Sequence, residues 1–254
     1  MHLGLVTYNL GREWDIETMI GICQETGFEG VELRTTHAHN VEDALTAAER
    51  AKVKSQFADS DVTLVGLGSA FEYHATDPNE VKRNIDGTKA YVVLAHDVGA
   101  TGVKVRPNGV QIEAGVPLEQ TLSQIGTALN ECGAFAEDFG IEIRLEVHGG
   151  TTSDPGPYSS IMETADHPNV KVCWNSNMND IVDGSIVPFF EKMATRIGLV
   201  HITNLSNDGY PWKGLFKMLD ESGYDGFTLA EVPESPEPER FMGYYRALWQ
   251  AYQP

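Results

Sequence analysis

The chain has 254 residues, of which 41% are hydrophobic, a composition typical of a globular protein with a large core. Its formal net charge of −19 argues against binding to nucleic-acid phosphates or to an anionic membrane surface, since both attract Lys and Arg rather than acidic side chains. No apolar run approaches the roughly 20 residues that a membrane-spanning helix needs.

Eight apolar segments alternate with helical patterns from the N-terminus to the C-terminus. Candidate strands are 3–8, 30–34, 63–67, 102–106, 141–147, 170–174, 198–203 and 226–231. Candidate helices are 16–25, 41–59, 78–97, 118–139, 158–165, 188–195, 212–222 and 236–250. Eight units of strand then helix predict the α/β class and a single (β/α)8 TIM barrel, with residues 1–254 as one domain.

Residues that favour helix starts precede several of these helical patterns. Asp77 stands before Pro78, with Glu80 three positions after the aspartate, which predicts a cap, a proline in the first helical position and a capping box. Asp15 and Asn40 are similar candidate caps.

Glycine follows three of the helical patterns in the same kind of turn. Gly27, Gly99 and Gly223 each precede the next strand by a few residues. Glycine adopts the left-handed conformation without steric cost, so each is predicted to end its helix and start a short turn into a strand.

The three cysteines, Cys23, Cys132 and Cys173, lie far apart in apolar patterns and form no CxxC pair. They are predicted to be buried free thiols, which suits a reducing compartment. The N-terminal segment lacks a basic stretch followed by an apolar one, so no secretory signal is expected. Together these features predict a cytoplasmic protein.

Four consecutive strands in the second half close on side chains that can hold a metal ion. In chain order these side chains are Glu146 with His148, Asn175 with Asn177, His201, and Glu231. A parallel barrel places all of its strand ends on one rim, so these side chains are expected to converge. Oxygen ligands with one imidazole suit Mn²⁺ or Mg²⁺, and are also compatible with Co²⁺ or Zn²⁺.

These strand ends resemble those of the xylose-isomerase-like TIM-barrel superfamily of sugar isomerases and epimerases. The resemblance covers nearly the whole chain and rests on the motifs LEVHGG, CWNSN, LVHITN and ESGYDGFTLAEV. The superfamily's usual ligands are Glu, Asp, His and Glu at the ends of strands five to eight. By position they fall on Glu146, Asn175, His201 and Glu231.

The sequence departs from the superfamily at Asn175, where an aspartate is usual. An amide oxygen still coordinates a hard cation, but one negative charge is lost. The metal is therefore expected to bind more weakly and to be a stronger Lewis acid toward the substrate. Asn177 as a replacement ligand, and loss of the metal altogether, both stay open.

The resemblance implies isomerisation or epimerisation of a small ketose through a metal-stabilised enediolate. Glu146 and Glu231 would be the two metal-bound carboxylates that act as base and acid. A dehydratase or lyase acting on a keto-sugar or keto-inositol would use the same base and metal, so it stays open. A non-catalytic sugar-binding barrel is a third reading, which would follow if Asn175 had destroyed the metal site.

The superfamily also contains abasic-site endonucleases, which use more histidines. Here Met178 stands where such an enzyme would have an extra histidine, and the surface is acidic, so this reading is disfavoured. The expected partner is a small-molecule sugar, and a homo-oligomer stays open.

Polar residues near the other strand ends are predicted to contact the substrate. These candidates are His148, Arg106, Glu72, His74, Lys213 and Asn177. Glu32 and Arg34 end the second strand and are weaker candidates on the same rim.

Overall fold

The computed structural model describes residues 1–254 and contains one closed parallel barrel whose eight strands pair in chain order, with β8 returning to β1. The strands are β1 His2–Asn9, β2 Gly30–Arg34, β3 Thr63–Gly68, β4 Gly102–Val105, β5 Glu142–Glu146, β6 Val170–Asn175, β7 Ile197–Ile202 and β8 Phe227–Val232. This architecture confirms the predicted (β/α)8 barrel, and every predicted strand agrees to within one residue at each end.

Eight helices surround the strands. They are α1 Ile16–Thr26, α2 Ala47–Ala58, α3 Pro78–Val98, α4 Leu118–Glu137, α5 Pro155–Thr164, α6 Val187–Met193, α7 Trp212–Glu221 and α8 Pro238–Tyr252. Each helix turns an apolar stripe toward the barrel; in α4 the buried residues Leu122, Ile125, Leu129, Cys132 and Ala136 recur every three or four positions. None of the helices combines the length and the hydropathy required to cross a bilayer.

The barrel interior has an apolar layer below a charged one. Val6, Val65, Cys173, Leu199 and Leu229 form a separate buried cluster contributed by five strands. In a strand, residues two positions apart lie on the same face. The side chains two positions beyond Cys173, Leu199 and Leu229 therefore also face the interior, at the carboxyl ends of the strands.

The local signals at the helix ends are mostly confirmed. Asp15 accepts a hydrogen bond from the Thr18 backbone N–H, and Asp77 caps α3 with Pro78 in its first turn. The capping box predicted for Glu80 is wrong, since the Asp77 carboxylate accepts from the Asn79 N–H instead.

All three glycine turns adopt the left-handed conformation, with φ of 72°, 86° and 76° at Gly27, Gly99 and Gly223. The three cysteines are buried and free, as predicted.

The predicted start of the second helix, residue 41, is wrong. Asn40 has a left-handed φ of 55° and caps nothing, and α2 begins six residues later than predicted. Thr46 and Glu49 form a reciprocal capping box there, which satisfies two free N–H groups of the first turn. The Glu42 carboxylate folds back onto the Thr36 backbone N–H at 2.6 Å, so the intervening residues form a loop.

The loop after β5 turns on a glycine that has no room for a side chain. Gly149 has φ of 102°, and a Cβ there would collide with the backbone carbonyl oxygen of Asn108 in the loop after β4. The next residue, Gly150, has open space around the position of a Cβ. The close approach at Gly149 thus joins two loops on the rim of the barrel.

We predict that Gly149→Ala lowers the free energy of unfolding by about 2–4 kcal/mol, because it adds both a left-handed backbone penalty and a backbone clash. Gly150→Ala is the matched control, with an expected change below about 1 kcal/mol. Urea denaturation of both variants measures the difference, and equal stabilities would show that the loop contact is unimportant.

Candidate active site

Three of the predicted metal ligands meet at the carboxyl-end mouth of the barrel. Ligand atoms of Glu146, His201 and Glu231 all lie within 4.8 Å of one another. The His201 Nδ1 atom is 3.6 Å from Glu146 Oε1 and 4.0 Å from Glu231 Oε2. These residues end β5, β7 and β8, so the parallel strand order alone brings together side chains far apart in sequence.

Asn175, at the end of β6, lies against both glutamates. Its Nδ2 donates to Glu146 Oε1 at 3.1 Å and approaches Glu231 Oε2 at 3.5 Å. Its Oδ1 is buried and has no hydrogen-bond partner. Rotating the amide by half a turn exchanges these two atoms, so Asn175 can offer either a donor or an oxygen ligand to the same point.

The donor set suits a divalent cation. Both ring nitrogens of His201 are buried without a hydrogen-bond partner, as is Asn175 Oδ1. Burying such atoms unpaired is costly, and a cation shared with the two carboxylates would satisfy His201 Nδ1 and, after rotation of the amide, Asn175 Oδ1. Glu146, His201 and Glu231, with Asn175 Oδ1 after rotation, are the residues that could hold it.

Lys104 is part of this centre, and the sequence reasoning missed it. Its ammonium donates to Glu146 Oε2 at 2.8 Å, and the two side chains are only 1% and 2% exposed. The lysine lies between two valines in β4, and this single charge inside an apolar strand is the only feature of the sequence that indicates its role. It occupies one oxygen of Glu146 and leaves Oε1 facing His201.

Glu32 lies on the Nε2 side of the His201 ring, away from Glu146 and Glu231. Its Oε1 is 3.5 Å from His201 Nε2, and the residue is fully buried in β2. Gly68 makes room for it, since a Cβ on Gly68 would come within 2.8 Å of Glu32 Oε1. This carboxylate lies on the Nε2 side of the ring, while Nδ1 faces Glu146 and Glu231, and neither Glu32 oxygen has a hydrogen-bond partner.

The two glutamates at the mouth differ in acidity. Burial would raise the pKa of Glu146, but the Lys104 ammonium and His201 outweigh it and hold the pKa well below its ordinary value. Burial and the neighbouring Glu146 carboxylate raise the pKa of Glu231. Two carboxyl groups with opposite shifts are suited to different proton-transfer roles.

A cavity of about 340 Å³ opens above these carboxylates. Its walls include Tyr8, Arg34, Arg106, His148, Asn177 and Thr203, and its floor includes Glu146, Asn175 and Glu231. The cavity therefore brings three of the predicted substrate residues, Arg106, His148 and Asn177, next to the candidate metal ligands. Tyr8 and Thr203 were not among the predicted residues.

The other three predicted substrate residues lie outside the cavity wall. Glu72 accepts a hydrogen bond from Arg106 at 2.6 Å, and His74 lies 3.8 Å from Glu72. Lys213 lines a different surface pocket, beside Trp212 in the first turn of α7. The contact roles of all six remain predictions.

A buried network supports the loop that follows Asn175. Asp180 accepts from the Tyr210 hydroxyl at 2.9 Å and from the Asn177 backbone N–H at 3.0 Å, and Tyr210 accepts from the Trp174 indole at 3.1 Å. Burial raises the pKa of Asp180 to about 7 despite these hydrogen bonds. The Asn177 side chain donates to Val147 O at 2.7 Å and so ties the end of β6 to β5.

Comparison with known proteins gives the same fold. The family described as xylose isomerase-like TIM barrel matches residues 20–246. An inosose dehydratase of Clostridium beijerinckii is 22% identical over an alignment of 273 positions, which covers 90% of this chain and 85% of that protein.

Two solved structures superpose over nearly the entire length. D-Psicose 3-epimerase from Clostridium cellulolyticum H10, determined with D-tagatose, has a TM-score of 0.81 at 14% identity and covers 99% of both chains. The IOLI protein, determined with a bound zinc atom, has a TM-score of 0.78 at 15% identity and covers 99% of this chain and 96% of its own. At these identities the likeness establishes the fold.

We predict that Lys104→Met lowers the free energy of unfolding by about 3–5 kcal/mol in the presence of EDTA, because it leaves the buried Glu146 carboxylate without its partner. The control is Lys82→Met, which breaks a solvent-exposed pair with Asp86 and should leave the free energy of unfolding nearly unchanged. Guanidinium denaturation distinguishes the two, and a Lys104 variant no less stable than the control would refute this role.

We predict that ionisation of Asp180 lowers the free energy of unfolding as the pH rises. Its pKa is higher in the folded than in the unfolded chain, so its contribution to stability is present at low pH and is lost as pH rises toward 7. Relative to Asp180→Asn, the wild type should lose on the order of 2 kcal/mol of unfolding free energy between about pH 5 and pH 8. A stability difference that stays constant over this range would contradict the assignment.

Proposed function

Because this chain belongs to the xylose isomerase-like TIM-barrel family, as its motifs indicated, we propose that it is a divalent-cation-dependent sugar isomerase or epimerase. Residues 1–254 would act as one catalytic domain in the cytoplasm. The substrate would be a small polyhydroxy ketone, and the reaction would remove and return a proton on a carbon beside its carbonyl group.

The observation that carries this proposal is the pair Glu146 and Glu231, which line the cavity and both face the Nδ1 atom of His201. Two carboxylates at one point can take a proton from a substrate carbon and return it. Either carboxylate could take the proton while the other returns one, with the roles exchanged in the reverse direction.

The charges around this point support a divalent cation. Glu32, Glu146 and Glu231 contribute three negative charges and Lys104 one positive charge, which leaves two when His201 is neutral. Oxygen ligands favour Mn²⁺ or Mg²⁺ in this place. When bound, such a cation stabilises the negative charge that develops on substrate oxygens as the proton leaves.

The residues of the chain itself would orient the groups that react. Lys104 keeps Glu146 ionised and holds one of its oxygens, and Glu32 lies 3.5 Å from the Nε2 atom of His201. Asn175 donates to Glu146 and approaches Glu231 without a cation, and a turn of its amide would offer Oδ1 to a bound one. The walls of the cavity hold the rest of the substrate away from bulk water.

Elimination of water from a keto-sugar or keto-inositol is the second candidate. The similarity to an inosose dehydratase over 90% of this chain favours it. The first step would be the same proton removal, followed by loss of a hydroxyl group instead of return of the proton. Elimination yields an enone that absorbs ultraviolet light, so spectroscopy of the product separates the two reactions.

We predict that Glu231→Gln, assayed in D₂O with Mn²⁺, lowers solvent deuterium incorporation into a panel of ketoses by at least about 100-fold, because an amide cannot transfer the proton. Proton NMR of the recovered sugars measures it. Glu234→Gln is the matched control, on the exposed loop just after β8, and should exchange at the wild-type rate.

Undiminished exchange by Glu231→Gln would remove Glu231 from the reaction. Failure of the wild type to exchange deuterium into any ketose, acidic or neutral, or to form an enone would contradict the proposed function as a whole.

A further inference from the structure

The cavity has a basic wall opposite its acidic floor. Arg34 ends β2 and Arg106 directly follows β4, so both come from the first half of the barrel. Glu146, Asn175, His201 and Glu231 all come from β5 to β8. The two arginines thus come from the first half of the barrel, and the candidate metal ligands come from the second.

The arginine of β2 has no carboxylate partner. Its guanidinium lies over the Tyr8 ring, 5.1 Å from the ring centre, and forms no ion pair. Its Nε is buried and makes no hydrogen bond. The chain has 37 acidic residues and 18 basic ones, so an arginine on its surface would readily find a carboxylate partner. Arg34 lies in the cavity and has no such partner, so ion pairing does not explain its position.

The arginine after β4 is only partly satisfied. Arg106 Nη2 donates to Glu72 at 2.6 Å, which holds the side chain in place, but its Nε is buried without a partner. The Nδ1 atom of His148, in the same wall, is also buried without a partner. A guanidinium has five N–H donors in a rigid fork, so each arginine keeps donors that can face the cavity.

We propose that the substrate is an anionic polyhydroxy ketone whose carboxylate or phosphate group binds between Arg34 and Arg106 while its carbonyl end lies over Glu146 and Glu231. This inference rests on the proposed function for the reaction, and it adds the substrate class. Guanidinium groups bind carboxylate and phosphate oxygens with paired, charge-assisted hydrogen bonds. Arg34 and Arg106 are the two guanidinium groups that line the cavity, so they favour the orientation in which the anionic group faces them.

A neutral sugar fits this cavity less well. Its hydroxyl groups could accept hydrogen bonds from the arginines, but they would not offset the charge of Arg34, and bonds to neutral acceptors are weaker. Arg34 and Arg106 are therefore the residues that select for an acidic substrate.

Isothermal titration of the Mn²⁺-loaded protein tests this inference with three related ketoses: D-fructose, D-fructose 6-phosphate and D-fructuronate. We expect at least one of the two anions to bind about tenfold or more tightly than D-fructose. The preferred anion then distinguishes a phosphate from a carboxylate substrate.

The same titrations with Arg34→Gln and Arg106→Gln show whether the arginines cause the preference. Each change should weaken binding of the preferred anion about tenfold or more and weaken D-fructose binding much less, whereas Arg34→Lys should retain part of the preference. Arg83→Gln, on the exposed face of α3, is the control and should change neither.

Equal affinity for all three ketoses, no binding of either anion at millimolar concentration, or an equal loss for neutral and anionic ligands in the arginine variants would overturn the inference. These outcomes are separate from the deuterium exchange that tests the proposed function. An anion preference without any exchange or elimination would contradict the reaction and leave the ligand class intact.

Discussion

The buried ion pair between Lys104 and Glu146 allows charged side chains to occupy the mouth of an otherwise apolar barrel. Carboxylates in such a place are costly unless each has a partner. Lys104 satisfies one oxygen of Glu146, Asn175 and His201 lie against the other, and Glu32 lies behind His201. Below this layer the interior is apolar, so the charges act on one another at short range with little screening by water.

The same arrangement determines what the cavity can bind. The positive charge of Lys104 cancels one of the three negative charges of Glu32, Glu146 and Glu231. The two negative charges that remain match a divalent cation, even though Asn175 replaces the usual aspartate. On the opposite wall, Arg34 and Arg106 present donors that neither the fold nor a surface ion pair uses fully. The proposed cation site and the two guanidinium groups together support the proposed acidic ketone as substrate.

Much of this fold could be predicted from the sequence, because strand–helix alternation and glycine turns are local signals. The convergence of Glu146, His201 and Glu231 could also be predicted, since strand order in a closed barrel decides which ends are neighbours. Lys104 could not be assigned, because one charged residue in an apolar strand does not reveal which side chain it faces. The start of α2 was misplaced because Asn40 favours both helix caps and left-handed turns. Lys213 was expected near the mouth, but α7 places it beside Trp212 in another surface pocket.

Anomalous diffraction from crystals soaked in Mn²⁺ tests most directly whether these distant side chains share one cation. We expect a single strong peak in contact with Glu146, His201 and Glu231, with the Asn175 amide turned so that Oδ1 faces the metal. Manganese bound elsewhere, with no peak between these three side chains, would contradict the metal centre on which the proposed chemistry depends.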